Sequence, residues 1–113
     1  MNKKLTYLAV PYSHSDPAIR QKRFEIVNKV SADLMSAGHL IFSPISHTHP
    51  IALAGELPVH WEFWKNFDIA YLEVSKKLIV LMLDGWKESK GVTGEVEIAV
   101  DLGIPIEYLE YEN

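Results

Sequence analysis

Apolar residues fall along this chain in short dense runs, separated by longer stretches in which they recur every three or four positions. Leu5 to Val10 is the first run, stopped by Pro11, and its composition predicts a strand buried on both faces. Asp16 followed by Pro17 supplies a cap and a proline at the first helical position. From there to Ala37 the spacing is helical, with Ile19, Ile26, Val27, Val30 and Leu34 on one side and Gly38 as the stop. His39 to Ser43, cut off by Pro44, predicts a second strand. Pro44 to Pro58 has three prolines, a glycine and weak periodicity, so a long connection with one helical turn around Ile51 to Ala54 is expected. His60 to Val74 reads as a helix, Lys77 to Leu83 as a dense apolar strand and Asp84 to Lys90 as a polar loop. Val92 to Leu102 is a helix closed by Gly103, and Ile104 to Leu109 is a last strand.

Strands that alternate with helices imply a parallel sheet covered on both faces. The expected fold is a three-layer α/β domain, flavodoxin-like or Rossmann-like, with a short sheet in the order 2-1-3-4. In such sheets ligands settle outside the carboxyl ends of the strands, where the order reverses. That point lies between the first and third strands, so the loops Pro11 to Asp16, Pro44 to Pro58 and Asp84 to Gly91 should surround a pocket.

A length of 113 residues with 48% hydrophobic content fits one domain over residues 1-113. The chain has no cysteine, which removes disulfides and thiolate chemistry and fits a reducing compartment. Met1 to Val10 is too short in apolar length for a signal sequence or membrane span, so a cytoplasmic location is expected. Eleven basic against fifteen acidic residues give a formal charge of −4 with no basic stripe, which argues against a nucleic-acid polymer and for a small ligand. Trp61, Phe63, Trp64 and Phe67 cluster in one segment, as core or as a stacking surface.

Chemistry concentrates in few places. Ser89-Lys-Gly-Val-Thr-Gly-Glu puts glycines and hydroxyls at a helix N-terminus, where free N–H groups favour an anion. At about 100° per residue, Val92, Val96, Ala99 and Gly103 define the inward face of that helix; Glu95 flanks it, while Glu97 and Asp101 point away. A first-turn acid also benefits from the helix dipole alone. On the preceding helix Asp68 falls among Trp61, Trp64, Tyr71 and Leu72, where an unpartnered carboxylate would cost several kcal/mol. Arg23 sits mid-stripe on the first helix, with Arg20 at its edge; either could hold a carboxylate or phosphate, or snorkel to solvent. His47, His49 and His60 have poor spacing for zinc, and Ser13 beside His14 lacks a nucleophile elbow, so no metal and no serine triad is expected.

Tyr7-Leu-Ala-Val-Pro-Tyr-Ser-His14, Phe42-Ser-Pro-Ile-Ser-His-Thr-His-Pro50, the helix Trp61 to Asp68 and the stretch Ser89 to Ala99 together resemble the nucleoside 2-deoxyribosyltransferase-like superfamily. The likeness is nearest to its small phage and bacterial members of unassigned function, the DUF1937-like chains. In that superfamily a glycine, three residues and a glutamate open the last helix, and Gly91 and Glu95 match that spacing. The resemblance implies Glu95 as the nucleophile toward an anomeric carbon, Tyr7 as the residue that orients it, and Asp68 as a contact to the nucleobase. Similarity to deoxynucleoside monophosphate N-hydrolases gives Ser89 a phosphate-holding role. Ser13, His14, Arg23, His47, Gly91 and Val92 complete the expected substrate-binding set. The chain departs from those hydrolases at Val10 and Pro11, where they carry a Gly-Ser pair, and in its Pro44 to Pro58 loop and Trp86.

The implied activity is cleavage or transfer of the N-glycosidic bond of a deoxynucleoside or its 5′-monophosphate, with no metal or organic cofactor and as a homo-oligomer. The alternatives are a nucleotide-binding or sensing module without turnover, and an interaction domain that uses the aromatic helix as a dimer face.

Overall fold

The computed structural model describes residues 3–112. Its elements run β1 (Leu5–Ala9), α1 (Pro17–Ser36), β2 (Ile41–Phe42), α2 (Pro44–Gly55), α3 (Trp61–Glu73), β3 (Ser75–Met82), α4 (Lys90–Leu102) and β4 (Ile106–Glu110). The strands form one sheet in the order β2-β1-β3-β4, every pairing parallel. This is the α/β architecture expected from the alternating runs, consistent with a three-layer flavodoxin-like fold.

Along β1 the side chains alternate between the two faces. Tyr7 and Ala9 join Leu78, Val80, Val92 and Ala99 in a core packed beneath α3 and α4. Leu8 and Val10 join Val27, Ile79, Leu81 and Leu83 in a second core beneath α1. Both cores are wholly buried at their centres, as a sheet covered on both faces requires. Among the described residues no helix is long and apolar enough to cross a membrane.

The caps do what the sequence suggests. Asp16 accepts a hydrogen bond from the Ala18 N–H at 2.9 Å, with Pro17 opening α1, and Gly103 closes α4 at φ 72, a left-handed turn that suits glycine. Ser89, not Val92, marks the start of α4: its Oγ accepts from the Val92 N–H at 3.1 Å.

The main departure is α2. The expected connection with a single turn is instead a helix of 12 residues from Pro44 to Gly55. Pro44 occupies the first turn, where its missing N–H costs nothing, while Pro50 inside the helix removes one backbone hydrogen bond. Burial of Pro44, His49 and Ala52 against the body of the protein offsets that loss. The helix ends on Glu56 at φ 53, a non-glycine residue in the left-handed region, so the usual stop signal is absent from the sequence. Strand boundaries shift as well: β2 is only Ile41–Phe42, and β3 starts at Ser75.

Candidate functional site

Glu95 lies in the second turn of α4, 4% exposed, on the face turned toward the sheet. Tyr7, fully buried in β1, donates its hydroxyl proton to Glu95 Oε2 in a short hydrogen bond across the core. Asp68 on α3, 9% exposed, comes within hydrogen-bonding reach of both. Three elements adjacent in space, far apart in sequence, thus bring together the residues Tyr7, Asp68 and Glu95. Among the described residues neither carboxylate is paired with a cation.

The electrostatics follow from that burial. Removal from water pushes the Glu95 carboxyl well above its ordinary range, and the charge of Asp68 adds to the rise, while the Tyr7 hydrogen bond opposes it by favouring the ionised form. Burial likewise raises Asp68 to about 6, opposed by its hydrogen bonds to Glu95 and Tyr7. Tyr7 is itself raised by burial and by both carboxylates, so it stays a proton donor. Two buried carboxyls this close cannot both ionise cheaply. Near neutral pH they hold one proton between them.

Above this floor opens a concavity of about 550 Å³ at the carboxyl end of β1. Tyr12 and Ser13 from the loop after β1, His49 and Thr48 from α2, Trp61 and Trp64 from α3, and Ser89 and Gly91 from the start of α4 form its walls. It lies at the switch point where β1 has β2 on one side and β3 on the other. The interior open to solvent is narrow, about 50 Å³, room for about three or four waters.

Of the expected substrate-binding residues, Ser13, Ser89 and Gly91 line this cleft. Ser13 already donates its hydroxyl to the Val59 carbonyl, and the Ser89 oxygen is engaged as the α4 cap. Val92 is core: 2% exposed beneath the helix. Arg23 and His14 line a separate hollow of about 730 Å³ with Lys22, Asp84 and Tyr111. The Arg23 guanidinium donates to the carbonyls of Ser13 and Asp84 at 3.2 Å each, fastening the loop after β1 to the loop after β3. His47 is exposed and faces the rings of Phe42 and Tyr71, outside the cleft.

His49 and Tyr12 are among the cleft residues absent from the expected substrate-binding set. His49 is 4% exposed and stacked on Phe24 at 4.3 Å; its Nδ1 is 2.5 Å from the Tyr12 hydroxyl and its Nε2 2.9 Å from Gln21 Oε1. Burial and the nearby Arg20 lower its proton affinity, keeping it neutral. The signal was present in the spacing: Ile45, Thr48, His49 and Ala52 stand at i, i+3, i+4 and i+7, a single helical face, and all four line the cleft. The aromatic segment of α3 divides its work. Trp61 and Trp64 line the cleft, whereas Phe63 meets Trp64 edge to face and Phe67 lies tilted against it, 48% exposed.

Gly94 shows how tightly the cleft wall is built. A Cβ there would sit 2.4 Å from Trp61 Cζ2 and 2.6 Å from Cε2, so only glycine lets the indole lie flat against α4. No curated protein matches the chain. The family described as a domain of unknown function (DUF1937) matches residues 4–111, almost the whole sequence, and the protein belongs to that family.

Proposed function

We propose that this protein cleaves or transfers the N-glycosidic bond of a deoxynucleoside or its 5′-monophosphate, with Glu95 as nucleophile. The observation that carries the reading is the buried cluster of Tyr7, Asp68 and Glu95 at the floor of a cleft. Resemblance of the surrounding motifs to the nucleoside 2-deoxyribosyltransferase-like superfamily supports it.

A retaining glycosyl transfer needs one ionised carboxylate and one proton to give away. A pair of carboxyls sharing one proton supplies both. Glu95 attacks the anomeric carbon, the bond to the base nitrogen breaks, and its electron pair leaves with the base, which takes the proton from Asp68. Positive charge developing on the sugar favours the ionised form of Glu95, and the Tyr7 hydroxyl holds the attacking carboxylate in place. Water, or the nitrogen of a second base, then attacks the same carbon; its proton returns to Asp68 and Glu95 is released.

A binding or sensing module without turnover is the second reading. The raised proton affinity of Glu95 favours it, because a protonated carboxyl does not attack. Incubation with a panel of deoxynucleosides and monophosphates, followed by chromatography for free base, separates the two. Base release that disappears in Glu95→Ala while binding persists supports the enzyme. Absence of release from every substrate, with the native protein still binding them, overturns it in favour of the module.

A further inference from the structure

The hollow lined by Arg23 lies on the α1 face of the sheet, apart from the Glu95 cleft. About 310 Å³ of it is interior open to solvent, against about 50 Å³ in the cleft. Small organic ligands are held in pockets of about 300–1,000 Å³, and the hollow has that room. The loop after β1 is the partition between the two cavities, since it gives Tyr12 and Ser13 to the cleft and His14 to the hollow. Gly85, at φ 92, makes space for the guanidinium that fastens this partition: a Cβ there would lie 2.8 Å from Arg23 Nη2.

Ile19, Lys22, Arg23 and Ile26 stand at i, i+3, i+4 and i+7 of α1, so one helical face supplies two cations and part of the apolar lining. Leu83 and Tyr111 form the floor and continue the second core, Leu83 3% exposed and Tyr111 packed against that core. Each Nη of Arg23 gives one N–H to a carbonyl; a guanidinium carries further N–H groups on both of those nitrogens and on Nε, and no described residue accepts from them. Lys22 forms no ion pair among the described residues. The Nδ1 of His14 accepts from the Asp16 N–H at 2.9 Å, which leaves its Nε2 as a donor. Asp84 is the acid among the lining residues, and its charge acts on Arg23. Glu110, between Leu109 and Tyr111, turns to the opposite face of the sheet. Two cations and a histidine donor thus meet one acid over an apolar floor.

From this we infer that the hollow is a second ligand site, separate from the Glu95 cleft, for a small organic anion: an oxyanion carried on an apolar body about the size of one aromatic ring. The oxyanion meets the remaining N–H groups of Arg23, whose planar fork suits a carboxylate or a phosphate, with the Lys22 charge beside it. The body lies over Ile26, Leu83 and the Tyr111 ring, where it takes apolar surface out of water. Inorganic phosphate alone would leave that floor uncovered, and an uncharged ring would leave the guanidinium without a partner. The site does not depend on the glycosidic reading, because none of its lining residues lines the cleft.

The test is a ¹H–¹⁵N NMR titration of the full chain with four probes: phenylacetate, phenyl phosphate, uncharged phenylacetamide, and acetate, which lacks the ring. Low salt is used so that screening does not mask the charge. Shifts are expected to gather at His14, Lys22, Arg23, Leu83 and Tyr111, and a charged aromatic probe is expected to bind about tenfold more tightly than phenylacetamide or acetate. Whichever of phenylacetate and phenyl phosphate binds more tightly names the oxyanion. Lys22→Gln, at an exposed helix position, should weaken that probe about threefold and Arg23→Gln about tenfold, with phenylacetamide unaffected and, for Lys22→Gln, an unchanged melting temperature. Phenylacetamide or acetate binding as tightly as the charged aromatic probes overturns the inference. So do shifts confined to cleft residues such as Thr48, Trp61 and Gly91, shifts with none of the probes, and unchanged affinity in both variants. Each of these failures leaves the glycosidic reading where it stood.

Discussion

Replacement of Asp68 by asparagine is predicted to stabilise the protein at neutral pH, although the residue is buried and hydrogen-bonded. Burial raises the Asp68 carboxyl from 3.8 to about 6. Between those values the native state keeps a proton that the unfolded chain has released, so stability falls as pH rises. Each pH unit is worth about 1.4 kcal/mol, and the interval up to about 6 amounts to about 3 kcal/mol, lost by pH 7 and regained in acid. Asparagine has nearly the same shape, can still bond to Tyr7 and Glu95, and carries no charge to desolvate. It also removes the repulsion that raises Glu95, a change of the same sign. The variant and the native protein should therefore be close in stability near pH 4 and diverge above it, the variant gaining about 3 kcal/mol, or roughly 10 °C in melting temperature for a domain of this size. Urea unfolding of both proteins across about pH 4 to 8 measures the difference directly. A variant less stable than the native protein at pH 7, or a gap that does not widen between pH 4 and 6, would refute the account of the carboxyl pair.

Three further perturbations test other parts of the structure. Tyr7→Phe removes the donor that stabilises the Glu95 carboxylate, a charged-acceptor bond worth about 1.5–3 kcal/mol; the Glu95 carboxyl should titrate still higher, and any base-releasing activity should fall at least tenfold with its acid limb moved to higher pH. Carboxyl ¹³C shifts against pH report this, and an unmoved Glu95 titration contradicts it. Gly94→Ala drives a methyl into the Trp61 indole, an overpacking that costs about 1–3 kcal/mol, and should shift both the melting temperature and the tryptophan emission; a silent substitution would mean that the indole is free to move. Asp16→Ala deletes the α1 cap at Ala18 N–H and should lower stability by about 1 kcal/mol without altering ligand binding, as thermal melts and titration would show.

The frame of the fold was legible because its signals are local and redundant. Dense runs at β1 and β3, the Asp16-Pro17 pair and Gly103 each name an element or its end, and the parallel order follows from their alternation. Glu95 and Asp68 were legible from helical phase alone, since α3 and α4 each have one face turned to the sheet. The α2 helix was masked: Pro50 inside it and Glu56 at its end, in place of a glycine, outweigh the one helical face that Ile45, Thr48, His49 and Ala52 share. His49 was lost with it, while His47, two positions away and equally conspicuous in the sequence, turns outward. The reach of Arg23 was legible but its target was not: a long side chain in mid-stripe can go to ligand or to backbone, and here it goes to two carbonyls.

The cost of the carboxyl pair bears on why it is there. A domain of this size has about 5–15 kcal/mol of stability in all, and Asp68 alone forfeits about 3 kcal/mol of it at neutral pH by the shift from 3.8 to about 6. Glu95 adds to that loss, buried against a second acid with a tyrosine hydroxyl for support and no cation beside it among the described residues. Purely structural buried acids are commonly offset by an arginine or lysine, and this chain spends its nearby arginines on carbonyls instead. Apolar side chains in the same two positions would pack the floor of the cleft at lower cost. Placed where the strand order reverses, beneath a concavity, the pair makes sense as groups whose raised proton affinity is used on what enters it.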